Sequence, residues 1–455
     1  MTTMATGSSF QSKRIFIGII LLVCGILYCV LYIFSANIPT GFLFQYHVSE
    51  GNNNTSFLTC SNTTSTRKQT VSTGIQPITP KWQPVGDGKD LFVFSAYFNK
   101  EKKAVQVIGI ALVQIKVNCT CTFTTATATA TATAAYGDGE SVRGHLEIIP
   151  EHHGRRYGAM VIRCPFTEHP KLTTVTITVG NSTASLGITY PSSLRFNFTV
   201  CVPPLFGAFR NPTSIIEMVE MDLLLGADRF IFYNESISPL VNKVLEHYRK
   251  NGIVEVLPWK IPVHDIQYHG QLASVQDCLM ANKMKSKFLI MKDIDEFIVP
   301  HKHKNWHELM KDVHDCKQTN ASAYLFRNAF FNLKYGVDVK GYTRKAESQR
   351  LHLRSMLYVW RDKVFLPTRQ RSKMMVLPDR VEISGIHFLW KSVKGFKEVT
   401  IDTNIAFLHH YREWKASEKV KDDIIRKYGD HLIKNVNKTL SLTAVNNTRV
   451  VTDHH

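Results

Sequence analysis

The chain has 455 residues, 44% hydrophobic and 20% charged, with 55 Lys and Arg against 37 Asp and Glu for a formal charge of +18. That composition suits a folded protein with a sizeable core and excludes wholesale disorder, collagen and a disulfide miniprotein. At about 150 residues per domain, the length allows about three units.

Residues 1–14 form a short tail ending in Lys13 and Arg14, and residues 15–34 (IFIGIILLVCGILYCVLYIF) carry no charge. About 20 apolar residues in a helix span a bilayer core, and flanking basic residues stay in the cytoplasm. The segment is too long for the apolar part of a cleaved signal peptide. It predicts an uncleaved single-pass type II anchor with everything after it lumenal. Ten Asn-x-Ser/Thr sequons, at Asn53, Asn54, Asn62, Asn118, Asn181, Asn197, Asn234, Asn320, Asn437 and Asn446, all follow the span. They agree with a secretory lumen. In that compartment nucleic acid is excluded as a partner. Anionic glycans, membrane surfaces and sugar-nucleotide diphosphates remain, although simple solubility accounts for most of the basic excess.

Cys24 and Cys29 lie in the span, leaving Cys60, Cys119, Cys121, Cys164, Cys201, Cys278 and Cys316 in an oxidising lumen where disulfides form. Cys278 with Cys316 is the pairing we expect. No C-x-x-C pair occurs, which argues against a zinc ribbon or thioredoxin site.

Residues 35–90 are polar, with scattered prolines, and read as a stem. Residues 91–199 hold short runs of Val, Ile, Phe and Thr, such as LFVFSAYF and TTVTITVG, and predict a small β-sandwich-like domain. The Thr-Ala tract at 124–135 reads as a surface loop. From 200 to 415 strands alternate with helices. NPTSIIEMVEMDLLLG is a helix stopped by Gly226. SPLVNKVLEHYRKNG has Ser238 as N-cap, Pro239 in the first turn and an apolar face of Leu240, Val241, Val244, Leu245 and Tyr248. Such alternation predicts an α/β fold with a parallel sheet, whose ligands bind outside the carboxyl ends of the strands. No dinucleotide or ATP loop motif is present. Residues 416–455 read as a C-terminal tail.

KFLIMKDIDEF places Asp293, Asp295 and Glu296 at the end of a buried strand. Crowded carboxylates repel one another, and Mn²⁺ or Mg²⁺ relieves that repulsion with oxygen ligands. A cation held there also neutralises a leaving nucleoside diphosphate. The alternative is a solvated loop.

At this point the chain resembles a known family. CVPPLFG (201–207), RFIFYN (229–234), YHGQLASVQDCL (268–279), KDIDEFIVP (292–300), RSKMMV (371–376), GIH (385–387) and HYR (410–412) are similar, in order, to blocks of glycosyltransferase family 92. The resemblance covers residues 201–412. It implies a GT-A-like, Rossmann-type catalytic domain and an inverting, Mn²⁺-dependent transfer from a UDP-sugar. It also implies a Golgi enzyme of the β-1,4-galactosyltransferase kind, acting on galactose or fucose of N-glycans. On that resemblance Asp293 and Asp295 bind the metal, with His387 or His410 as a further ligand. Arg371, Lys373 and Arg412 are candidate diphosphate contacts within or near a stretch, 341–380, that has ten Lys or Arg against three acids. Gln271, Gln276 and Asp277 are candidate contacts to donor or acceptor hydroxyls, with plain surface residues as the alternative for Gln276 and Asp277. The inverting base would be a carboxylate, with Glu296, Asp362 and Glu382 as candidates. Trp259, Trp360, Trp390 and Trp414 could stack on a sugar or fill the core.

His301-x-His303 and His454-His455 read as exposed polar residues, since two histidines fall short of the three or four ligands zinc needs. A non-catalytic glycan-binding or adhesion glycoprotein is the alternative function, and a two-metal phosphohydrolase is less suited to the available ligands. Oligomeric state is left open.

Overall fold

The structure, a computed structural model, describes residues 80–125, 141–166, 172–317 and 319–445. The anchor expected at 15–34, most of the stem, most of the Thr-Ala tract and the sequons at Asn53, Asn54, Asn62 and Asn446 lie outside the described residues. No helix among the described residues is long and apolar enough to cross a membrane.

Eight strands between Gln83 and Thr189 form one sheet. The first, Gln83–Val85, falls inside the segment read from sequence as stem. The sheet closes on itself where Ala96 pairs with Ile188 and Tyr97 with Thr189. The strand Leu91–Asn99 is buried for seven consecutive residues. Alternation explains this: Val93 and Val105 face the interior of the closed sheet, whereas Phe92, Phe94, Ile108 and Ile110 face a second core. That second core is shared with Leu272, Ala273, Leu289 and Met374 of the following α/β region, so one apolar layer joins the two parts.

The α/β region is built on a seven-stranded sheet. Its order is Val254–Pro258, Arg229–Asn234, Phe196–Leu205, Ser286–Met291, Lys373–Val376, Ala321–Phe326 and Lys397–Thr400. The first four strands are parallel. In chain order they run third, second, first, fourth, so the winding reverses between Phe196–Leu205 and Ser286–Met291. Beyond them Lys373–Val376 runs antiparallel to both neighbours. A separate three-stranded sheet joins Glu296–Pro300, Ala406–Arg412 and Asn328–Asn332 and sets Glu296 opposite His410.

The helices follow their punctuation. Pro212–Leu225 starts at Asn211, whose side chain accepts from Ser214 N–H, and ends at Gly226 with φ 119°. Pro239–Lys250 is capped by Ser238 accepting from Val241 N–H. Val241, Val244, Leu245 and Tyr248 are buried, but Leu240 is exposed, because it flanks the stripe that meets the sheet.

Residues 416–455 are not a simple tail. They contain the helix Gly429–Thr443, whose Leu432, Ile433, Val436 and Leu440 recur at helical spacing and pack into the main core. Thr439 and Tyr248 both donate hydroxyls to Glu220, at 2.9 and 2.7 Å.

Cys278 does not pair with Cys316. It faces the sheet from the helix Gln271–Ala281 and is bonded to Cys201 in the strand Phe196–Leu205, while Cys316 is exposed elsewhere. Cys121 pairs with Cys164 inside the closed sheet. The Cys201–Cys278 bridge spans 77 residues. Replacing both cysteines by Ala is expected to cost about 4 kcal/mol through loop-closure entropy, read from the urea midpoint. Asn118, Asn181, Asn197 and Asn320 are exposed, as a glycan acceptor requires.

Candidate active site

The winding reversal leaves a crevice beyond the carboxyl ends of Phe196–Leu205 and Ser286–Met291, the place where such sheets bind ligands. A pocket of about 530 Å³ lies there. Pro203, Pro204, Leu205 and Phe206 supply one wall, and Asp293, Asp295 and Glu296 supply another. Gln271, Arg371, His387, His410 and Arg412 are among the other polar residues that line it.

Each carboxylate is held from a different element. Asp293 accepts from Lys373 Nζ at 2.9 Å and from Gln271 Nε2 at 3.4 Å. Asp295 faces His410 Nε2 at 3.5 Å. Glu296 accepts the Asp293 N–H at 2.9 Å, lies 3.3 Å from Lys373 Nζ and faces His410 Nδ1 at 3.3 Å. His410 Nδ1 also faces Asn328 Oδ1 at 3.0 Å, which orients the ring. Below the loop, Lys292 and Asp222 form a fully buried ion pair at 2.9 Å, and Lys292 donates to the Glu296 carbonyl at 2.7 Å. Burial pushes the Asp222 carboxyl up to about 6 although Lys292 pulls the other way.

Burial alone would raise both aspartates. Lys373 outweighs it at Asp293, and His410 with Arg412 outweighs it at Asp295, so both carboxyls sit below their ordinary range. Glu296 goes the other way: burial raises it despite Lys373. Burial would depress the Lys373 ammonium, but Asp293 and Glu296 raise it above the usual lysine range. The site therefore carries two anionic aspartates with side chains 37% and 23% exposed, open on the pocket side.

His387 faces the pocket from the loop after Val381–Ser384. Its Nδ1 meets the Ser372 carbonyl at 3.2 Å, which fixes Nδ1 as the protonated nitrogen and Nε2 as the acceptor. Burial, and then Lys373, depress its pKa to about 3. Two carboxylates and a neutral imidazole lining one pocket are a donor set that fits Mn²⁺ or Mg²⁺. Arg371 lies with its guanidinium 4.8 Å over the Trp414 ring, and it and Arg412 line the same pocket as the aspartates, supplying cationic forks suited to phosphate.

The depressed His387 pKa predicts an acid sensitivity. The unfolded chain takes up a proton near pH 6.5 and the folded chain does so only near 3. The stabilisation from neutral His387 is therefore present above 6.5 and lost as pH falls. At pH 5 the loss is about 2 kcal/mol. In metal-free buffer His387→Gln should flatten the fall in Tm between pH 7 and 5; identical slopes would contradict the assignment.

Five expected site residues, Gln276 among them, do not line the pocket. Asp277 is buried on the opposite side of its helix and accepts hydroxyls from Ser95, Tyr97 and Tyr233, tying the closed sheet to the α/β region. Asp362 accepts from Tyr335 Oη in a separate two-stranded sheet. Glu382 pairs with Lys102 and Lys391. Lys373 does not line the pocket but supports Asp293 and Glu296 from behind. Of the tryptophans, Trp259 is fully buried against Phe94 and Tyr233, and Trp360 lies under Lys419.

The structure also adds residues that sequence reasoning missed. Glu151, in the loop after the strand Ser141–Ile148 of the closed sheet, accepts the Ile386 N–H at 3.1 Å and the Trp390 indole N–H at 2.9 Å, and so holds the loop carrying His387. Gly385 permits this, since a Cβ there would sit 2.6 Å from Glu151 Oε2. His153 and Tyr268 line the pocket mouth. No spacing or composition signal in the turn around Glu151 points across the 235 residues to Ile386.

The sequence model of glycosyltransferase family 92 matches residues 196–447, more than half of the chain. The chain is 25% identical over 265 residues to the beta-1,4-galactosyltransferase galt-1 of Caenorhabditis elegans, covering 55% of this chain and 56% of that protein. It is 24% identical over 299 residues to the galactan beta-1,4-galactosyltransferase GALS2 of Arabidopsis thaliana, covering 57% and 54%. The chain thus spans about half the length of the curated relatives it matches. Among solved structures, glucosyl-3-phosphoglycerate synthase of Mycobacterium tuberculosis with Mn²⁺ and UDP-glucose aligns at TM-score 0.26 and 10% identity, over 56% of this chain and 82% of that one. The match runs through the helix Gly429–Thr443, so the region first read as a tail is part of the domain. The chain belongs to glycosyltransferase family 92.

Proposed function

We infer that the pocket transfers a hexose, galactose from UDP-galactose, onto a galactose or fucose residue of N-glycans. The reading includes a GT-A-type catalytic fold, inversion at the sugar carbon, and a Golgi membrane protein anchored by one helix at residues 15–34. The observation that carries it is the convergence of Asp293, Asp295 and His387 with Arg371 and Arg412 on one pocket at the winding reversal. The galactosyltransferase names of two relatives support the choice of sugar.

Asp293, Asp295 and His387 would hold Mn²⁺, which when bound supplies positive charge to the departing diphosphate. Arg371, stiffened by Trp414, and Arg412 bind phosphate oxygens. Lys373 and His410 keep Asp293 and Asp295 anionic and aimed at the pocket. Glu296 is engaged by the Asp293 N–H, Lys373 and His410, so its role is to position the acidic loop. The apolar wall of Pro203, Pro204, Leu205 and Ile386 excludes water from the reacting sugar. A screen of UDP-sugars against N-glycan acceptors, with and without Mn²⁺, tests the proposal. Turnover of UDP-galactose only with Mn²⁺, giving a β-1,4 linkage, is expected; turnover of a different sugar nucleotide would refute the choice of donor.

A further inference from the structure

The central strand Ala406–Arg412 carries two adjacent histidines, and successive strand residues point to opposite faces. His410 faces the pocket. His409 faces away, is fully buried, and meets His301 with the two Nε2 atoms 3.3 Å apart. Asp422, from the segment after Lys419–Lys421, brings a carboxylate oxygen so that all three ligand atoms lie within 4.8 Å of one another.

We propose that His301, His409 and Asp422 form a second divalent-cation site of zinc type, on the reverse face of the three-stranded sheet from the acidic pocket. The nitrogen separation is long for an N–H···N hydrogen bond. It matches two ligands of a tetrahedral ion, since Zn–N bonds of about 2.0–2.1 Å put neighbouring nitrogens about 3.3 Å apart. The imidazoles are held for the task. His409 stacks between Phe331 at 4.2 Å and Phe407 at 4.7 Å, and His301 packs on Phe407 at 4.3 Å. His409 Nδ1 faces the Tyr411 hydroxyl at 3.4 Å, which favours Nε2 as the metal-facing atom.

The neighbouring cations are already engaged. Arg361 Nε binds Asp422 Oδ2 at 3.1 Å, leaving Oδ1 with one long contact to the Ile424 N–H at 3.5 Å. Lys427 donates to the carbonyls of Pro300 and His303 at 2.8 and 3.1 Å. Asp422 and His301 are only partly buried, so a water can complete the coordination. The ion would join three segments distant in sequence: the exit of Glu296–Pro300, the strand bearing His410, and the loop at Asp422. It would thereby stiffen the sheet that supports the acidic pocket. Histidine, carboxylate and water are a familiar zinc donor set, distinct from the carboxylate-rich pocket.

The test uses the full chain, stripped with a chelator and dialysed against Zn²⁺ alone or Co²⁺ alone. Three variants are compared with the unmodified chain: Asp295→Asn, which disables the acidic pocket, and His301→Ala and Asp422→Asn, which disable the proposed site. Bound zinc is counted by mass spectrometry, Co²⁺ is read by the visible band of tetrahedral coordination, and Tm is recorded with and without metal. One zinc per chain is expected in the unmodified chain and in Asp295→Asn, with a tetrahedral Co²⁺ band and a raised Tm. His301→Ala and Asp422→Asn should bind at least about 10-fold more weakly and lose both signals. If either variant fails to fold, the other and the Co²⁺ spectrum of the unmodified chain decide. Zinc retained by both variants, or lost from Asp295→Asn, overturns the proposal. So does the absence of bound zinc in the unmodified chain, the two imidazoles then being joined by a hydrogen bond alone.

Discussion

Asp295→Asn is expected to cut sugar transfer at least about 100-fold, a loss of about 3 kcal/mol in transition-state stabilisation, while leaving the fold intact. The side chain is partly exposed to the pocket and lies 3.5 Å from His410 Nε2. His410 keeps Asn328 and Glu296, and the Asp295 carbonyl still accepts the Tyr411 N–H at 2.9 Å. Because His410 and Arg412 hold the Asp295 carboxyl below its ordinary range, its charge stabilises the folded chain at neutral pH, and Tm in metal-free buffer should fall modestly without loss of cooperative unfolding. Kinetics together with thermal melts check both halves. Activity retained at more than about a tenth of the original would remove Asp295 from the chemistry.

Lys373→Met carries the largest expected cost in stability. Lys373 is 2% exposed and lies between Asp293 and Glu296, the latter 1% exposed. Removing one partner of a buried ion pair leaves an uncompensated charge, at a cost of about 3–5 kcal/mol. Methionine fills the volume, so the loss reports charge rather than a cavity. The sign of its pH dependence follows. Lys373 depresses the Asp293 carboxyl and opposes the rise at Glu296. Without it both carboxyls move up, and protonation neutralises them. The variant should be most destabilised above neutrality and recover as pH falls toward 5, with Mn²⁺ restoring part of the stability by mass action. Urea unfolding at several pH values, with and without Mn²⁺, measures this. A loss independent of both would point to packing instead.

The parallel core and its acidic edge were legible because they rest on local signals. Runs such as RFIFYN and KFLIM are short and apolar, Ser238 and Pro239 punctuate one helix, and Asp293 to Glu296 follow a buried strand directly. Once the resemblance was in hand, Arg371, His387, His410 and Arg412 could be nominated, and the structure brings all four to the pocket. What could not be read depends on distant pairing. Lys373–Val376 is four residues of unremarkable composition whose antiparallel seat beside Ser286–Met291 is decided by sheet packing. Glu151 lies in a loop between two strands of the other sheet and gains its role only when the two parts share a core. Asp277 carries a charge that suggested a ligand contact, and nothing local reveals three hydroxyls waiting for it from Ser95, Tyr97 and Tyr233. The pairing of Cys278 failed for the same reason: Cys201 lies 77 residues earlier in the chain but one layer away in space. The helix Gly429–Thr443 is the exception. Its stripe of Leu432, Ile433, Val436 and Leu440 was available in the sequence, and polar residues between them masked it.

The proposed function requires Asp293, Asp295 and His387 to present a cation to a nucleoside diphosphate held at the winding reversal. Calorimetric titration of UDP into the full chain, with Mn²⁺ present and then with the metal removed by chelator, tests it most directly. The account predicts one UDP bound per chain with Mn²⁺ and affinity at least about 10-fold weaker without it. UDP binding that is equally tight in the absence of metal would contradict it.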